Sequence, residues 1–93
     1  MKIWVDDIRT PPVGYDVWAK TSDKALSILQ QCEAIGERPE LMSLDHDLGG
    51  DDTSRRIVIW MCTFNFWPVE VRVHSANPVG VEWLEGMIER YKP

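Results

Sequence analysis

The stretch Leu41-Met42-Ser43-Leu44-Asp45-His46-Asp47-Leu48-Gly49-Gly50 decides the fold. A short apolar run stops abruptly at two carboxylates and is followed by a glycine pair, the pattern of a buried strand that ends at a polar rim and turns. Working outward, Ile3-Trp4-Val5 stops in the same way at Asp6-Asp7. Val69, Val71 and Val73 alternate with Glu70 and Arg72, as in a half-buried edge strand, and give way to His74-Ser75-Ala76-Asn77-Pro78. Asp16 to Lys20 alternates well enough for a further short strand.

Helical periodicity fills the gaps. Thr21-Ser22-Asp23 offers N-caps for a helix carrying Ala25, Leu26, Ile28, Leu29, Cys32 and Ile35, with Gly36 as C-cap and Pro39 barring continuation. Asp51-Asp52-Thr53-Ser54 leads into a second helix with Ile57, Val58, Trp60, Met61 and Phe64 on its buried face. Leu84, Met87, Ile88 and Tyr91 mark a third, beginning near Val79. Strands alternating with helices predict an α/β domain with a mainly parallel sheet. The weak point is Ile8 to Tyr15, which contains Thr10-Pro11-Pro12 and Gly14. It is shorter than the dozen or so residues a parallel crossover needs. Either the second strand is irregular or stunted, or this loop replaces a lost helix.

The 93 residues make one domain, 1–93, with room for a modest core only. Five tryptophans are expected to bulk out that core, Trp67 among them. A net charge of −5 and a pI near 4.8 disfavour duplex DNA and generic nucleic-acid backbones. One small phosphorylated ligand stays compatible, because a bound cation reverses the local sign. Cys32 and Cys62 sit in apolar helical patterns and read as reduced core thiols. With neither a leader-like segment nor an apolar run long enough for a bilayer, a cytoplasmic protein with no membrane contact is expected.

In a parallel sheet the carboxyl ends of all strands share one rim, where ligands bind. Here three strands end in polar clusters at that rim. Asp6, Asp7, Asp45 and Asp47 are candidate ligands for Mg²⁺ or Mn²⁺, hard cations that prefer carboxylate oxygen and keep positions for water and phosphate. Without a cation, such clustered carboxylates repel one another. Asp45, His46 and His74 are the candidate catalytic groups, as nucleophile or proton carriers. If Asp45 and Asp47 face the site, however, alternation turns His46 away. Arg9, Gly49, Ser75 and Asn77 are candidate phosphate binders, the last two beside a helix N-terminus. Turn chemistry before Pro78 accounts for Ser75 and Asn77 equally well. Asp23, Asp51 and Asp52 read as caps or turn residues.

Val5-Asp6-Asp7-Ile8-Arg9, Leu44-Asp45-His46-Asp47-Leu48-Gly49 and Val73-His74-Ser75-Ala76-Asn77-Pro78-x-Gly80 together resemble the cyclic-phosphate-processing receiver domains, a group similar to the receivers of two-component signalling. The resemblance spans nearly the whole chain. It implies a flavodoxin-like, three-layer fold with strand order 2-1-3-4 and about three helices, truncated relative to a full receiver. It implies that Asp6 and Asp7 hold the cation, that Asp45 occupies the phospho-accepting position, and that Ser75 contacts the phosphoryl group. The receiver's fifth strand and its lysine have no counterpart here, which argues against phospho-relay switching.

The leading expectation is therefore a metal-dependent phosphoesterase acting on a cyclic phosphate of a nucleotide or RNA end. The alternatives are a non-catalytic, degenerate receiver that binds a nucleotide or a partner protein, and, more weakly, an acidic phage-type inhibitor. Whether a partner protein or a second copy takes part is left open.

Overall fold

A computed structural model describes residues 1–93. Its elements are β1 (Lys2–Val5), β2 (Val17–Ala19), α1 (Ser22–Ile35), β3 (Leu41–Leu44), α2 (Arg55–Phe64), β4 (Glu70–Val73) and α3 (Pro78–Tyr91). The four strands form one sheet in the order β2-β1-β3-β4, and every pairing is parallel. Fold class, strand order and helix number are those expected. No helix is long and apolar enough to cross a membrane.

Alternation along the strands sorts their side chains onto two faces. Ile3, Val5, Ala19, Met42 and Leu44 join Ala25, Ile28, Leu29 and Cys32 of α1, Ile57, Val58 and Met61 of α2, and Leu84 of α3 in one core. All three helices therefore cover the same face. Full burial of each aliphatic side chain there is worth about 1.5–3 kcal/mol, so this single cluster carries most of the fold's apolar stabilisation. Local signals set the helix ends. Thr21 Oγ1 accepts from Lys24 N at 3.1 Å, and Gly36 closes α1 in the left-handed region at φ 72°. Ile35, expected on the buried face of α1, is exposed.

The opposite face carries Trp4, Trp18, Ser43, Glu70 and Arg72, and no helix covers it. Its layer is the β1–β2 connection itself, an extended strap. Asp6 starts the strap by accepting the N–H groups of Ile8 (2.9 Å) and Arg9 (2.7 Å) on Oδ1. Trp4 Nε1 donates to Arg9 O at 2.8 Å, the Trp4 and Tyr15 rings meet edge to face, and Trp18 Nε1 donates to Asp6 O at 2.6 Å. Asp16 ends the strap, exchanging bonds with the backbone of Lys2. The loop thus replaces a helix, and β2 is stunted to three residues. Tryptophan use differs from expectation for the same reason. Trp67 lies in the core and Trp60 and Trp83 pack against it, whereas Trp4 and Trp18 serve the strap face.

Candidate functional site

The ladder continues past the strands far enough to align their ends. Asp45 N donates to Val5 O at 2.8 Å, and His74 N to Leu44 O at 2.9 Å. Asp6, Asp7 and Asp45 consequently converge, with one carboxylate oxygen from each lying within 4.8 Å of the others. Beside them opens a shallow pocket of about 440 Å³, lined by Asp7, Ile8, Arg9, Asp45, Asp47, Gly49, Gly50, Ser75, Ala76 and Asn77.

The three carboxylates are not equivalent. Asp6 is fully buried. Burial pulls its pKa upward, but the Arg9 and Ile8 N–H groups and His74 outweigh this and hold it below the usual value, so Asp6 is a fixed anion. Asp7 accepts no hydrogen bond, and Asp45 uses only Oδ1, for the N–H of His46. Gly49 stands at φ 91°, and a Cβ there would lie 3.3 Å from Asp7 Oδ2, so this turn gives the backbone its close approach to Asp7. Three converging carboxylates, with uncommitted oxygens on Asp7 and Asp45 and no cationic side chain among them, suit a hard divalent cation, and these residues could hold one.

His74 stands behind Asp6, outside the pocket. Its Nε2 is 3.0 Å from Asp6 Oδ2, its Nδ1 is 2.7 Å from Ser43 Oγ, and its ring stacks on Trp4 at 3.7 Å between centroids. Burial pushes its pKa below 6.5, against the pull of Asp6, so the ring is neutral at pH 7. An anionic Asp6 then requires Nε2 to carry the proton and Ser43 to donate to Nδ1. The Ser–His–Asp line is not a nucleophilic triad, because Ser43 is 2% exposed. It orients Asp6.

His46 is also kept from the pocket, as alternation requires. It is buried; Arg55 Nε donates to its Nε2 at 2.9 Å, and its Nδ1 lies 3.1 Å from Asp47 Oδ1. Its ring packs so tightly on α3 that a Cβ at Gly80 would come within 2.3 Å. Asp47 lies apart from the three converging acids. Hydrogen bonds from Asn77 and His46 hold its pKa below the usual value, and Asn77 Nδ2 sits 3.0 Å from Oδ2.

Asn77 is the N-cap of α3, its Oδ1 accepting from Gly80 N at 3.1 Å with Pro78 following. Turn chemistry therefore accounts for Asn77. Ser75 Oγ accepts the Asn77 N–H at 3.1 Å and keeps its hydroxyl proton free at the pocket wall. Arg9 lines the pocket while its Nη1 donates to His74 O at 2.9 Å, tying the strap to the end of β4.

Several partners lie beyond sequence reasoning. Asp52, expected as a cap or turn residue, accepts from Ser22 N at 2.9 Å and so caps α1, a helix thirty residues away in the chain. The Ser43–His74 contact and the Arg55 clamp on His46 join residues whose spacing in the chain carries no signal.

A parallel sheet of order β2-β1-β3-β4 with an acidic pocket at its carboxyl rim defines a receiver-like α/β domain. The family model for the cyclic-phosphate processing receiver domain matches residues 1–90. The chain belongs to that family. No curated protein and no solved structure matches it.

Proposed function

We propose that the pocket binds and hydrolyses a cyclic phosphate on a nucleotide or RNA end, with Mg²⁺ or Mn²⁺ held by Asp6, Asp7 and Asp45. The observation that carries this reading is the convergence of three carboxylates beside a wall of donors, Ser75 and Arg9, in a chain of a cyclic-phosphate processing family. When bound, the cation supplies Lewis-acid stabilisation of the phosphoryl oxygens and neutralises the acidic rim toward an anionic ligand. Ser75 donates to a phosphoryl oxygen, Arg9 offers its guanidinium from the strap, and Asp6 stays fixed by His74. Water adds to phosphorus, one ring P–O bond breaks, and the departing oxygen takes up a proton. Asp45 is a cation ligand in this scheme; as a nucleophile it would form an acyl phosphate that water then cleaves.

The test is incubation with 2′,3′-cyclic nucleotides and cyclic-phosphate RNA ends in the presence of each metal. Turnover that Asp45→Asn abolishes supports the proposal, and its absence across all substrates and both metals overturns the enzyme reading. One observation favours the second reading, a non-catalytic module that binds a nucleotide: neither histidine lines the pocket, so it offers no imidazole as proton carrier. Calorimetric binding of a nucleotide without turnover is its signature.

A further inference from the structure

β4 is an open edge of the sheet, paired with β3 on one side only. Glu70 N donates to Glu40 O at 3.0 Å and His74 N to Leu44 O at 2.9 Å. Even-numbered residues therefore turn their backbone groups toward β3, and Val71 and Val73 turn theirs outward. Val69 N is taken by Pro39 O at 2.9 Å, which leaves the Val69 carbonyl free for the outer side. Side chains alternate too. Val71 and Val73 pack against the core, while Glu70 and Arg72 stand exposed on the strap face, paired with each other.

Val69-Glu70-Val71-Arg72-Val73 has the same apolar–polar pattern read from either end, with opposite charges at its two polar places. Laid antiparallel on a second copy about a two-fold axis through Val71, it sets Val71 opposite Val71, Val69 opposite Val73, and Glu70 opposite Arg72 twice. Opposite charges directly across a strand pair stabilise it, and like charges oppose it. The same axis pairs outward groups only: each Val71 N–H meets the other Val71 carbonyl, and each Val73 N–H meets a Val69 carbonyl. An axis through Glu70 or Arg72 fails on both counts, placing like charges opposite and facing groups already bonded to β3. Two independent conditions, backbone direction and charge, thus select one register.

The surroundings of the strand fit an occupant there. Val69 is 55% exposed, and a cleft of about 490 Å³ beside β4 is floored by Val71, Val73 and Ile88. Glu85 and Glu89 line its other side, and this acidic wall, repeated in the second copy, works against a tight contact.

We propose that β4 docks on β4 of a second copy of this chain, joining two four-stranded sheets through an antiparallel seam centred on Val71. The isologous contact is short, so the dimer belongs among weak interfaces, below about 1,200 Å² of buried surface. Sedimentation from about 10 µM to about 1 mM, the affinity range of such contacts, should show a reversible monomer–dimer equilibrium. Val71→Pro removes an outward N–H that the fold does not use, and should leave a folded monomer. Glu70→Arg alone and Arg72→Glu alone should each weaken dimerisation at least about tenfold, and the double variant should restore it, because the swap recreates both cross-strand pairs. The double variant keeps the test valid if the proline variant fails to fold. Monomer throughout the range, a dimer indifferent to Val71→Pro, or a double variant no better than the singles would each overturn the proposal.

Discussion

His74 Nε2 stands 3.0 Å from the buried Asp6 Oδ2, and Ser43 Oγ completes the line at 2.7 Å from the other ring nitrogen. The ring thus serves the carboxylate site from behind. His74→Phe preserves the stack on Trp4 and deletes both polar contacts, leaving Asp6 with its backbone donors alone. Loss of such an outer-shell partner costs about 10–100-fold in metal affinity. Calorimetric titration with Mn²⁺ should show a loss of that size, and a carboxyl NMR titration should show the Asp6 pKa rising. An unchanged Asp6 pKa would remove the orienting role.

The same pair fixes the sign of acid sensitivity in chelator-treated protein. Burial first, against the pull of Asp6, holds the His74 pKa below its ordinary 6.5. Asp6 is held below 3.8 because its hydrogen bonds outweigh burial. In both cases the unfolded chain takes up the proton first, so each contribution is present above the ordinary value and is lost as pH falls through the folded one. The urea midpoint should decline as pH drops below 6.5 and decline again below 3.8. His74→Phe should flatten the first decline and shrink the second without abolishing it, because Asp6 keeps its backbone donors but loses the ring. A midpoint that rises on acidification through 6.5 contradicts the assignment.

How much of this was readable beforehand depends on whether the cause was local. Leu41–Leu44 and Ile3–Val5 announced their strands because apolar runs ending in carboxylates have few other uses, and Thr21 and Gly36 fixed α1 through caps that act within one turn. Asp6, Asp7 and Asp45 meet because parallel strands align their ends, a consequence of topology the pattern already implied. The strap was harder. Pro11, Pro12 and Gly14 exclude helix, but only Trp4, Trp18 and Asp16 decide how the chain lies on the sheet, through contacts made after folding. His46 counts among the candidate proton carriers because it sits, like His74, at the strand-end rim, and alternation alone turns it from the pocket. Its partner Arg55 and the glycine at 80 that admits its ring lie on other elements.

The two glycines of α3 should respond oppositely to alanine. At Gly80 a Cβ would lie 2.3 Å from His46 Cγ, and the ring, held by Arg55 and beside Asp47, has little freedom to retreat. Overpacking of this kind costs about 1–3 kcal/mol. At Gly86 nothing lies within 4 Å, so alanine there should stabilise the helix by about 0.5–1 kcal/mol. Urea unfolding of the two variants reads the contrast directly. Equal effects would mean that His46 yields, and that Gly80 is not required by the packing.

Within the site, Asp45 and Asp47 separate by what each already binds. Asp45 keeps Oδ2 free and converges with Asp6 and Asp7, whereas both oxygens of Asp47 are engaged, by His46 and Asn77. Asp45→Asn removes one of three converging charges and should abolish measurable Mn²⁺ binding with little loss of stability, since unpaired clustered anions repel. Asp47→Asn should do the reverse. It should keep cation binding within about threefold and lower stability by about 1 kcal/mol through its lost charge-assisted hydrogen bonds. Titration calorimetry and urea unfolding on both variants check the pairing of outcomes. A cation affinity that falls equally in the two would place Asp47 among the ligands and require the loop from Asp47 to Thr53 to move on binding.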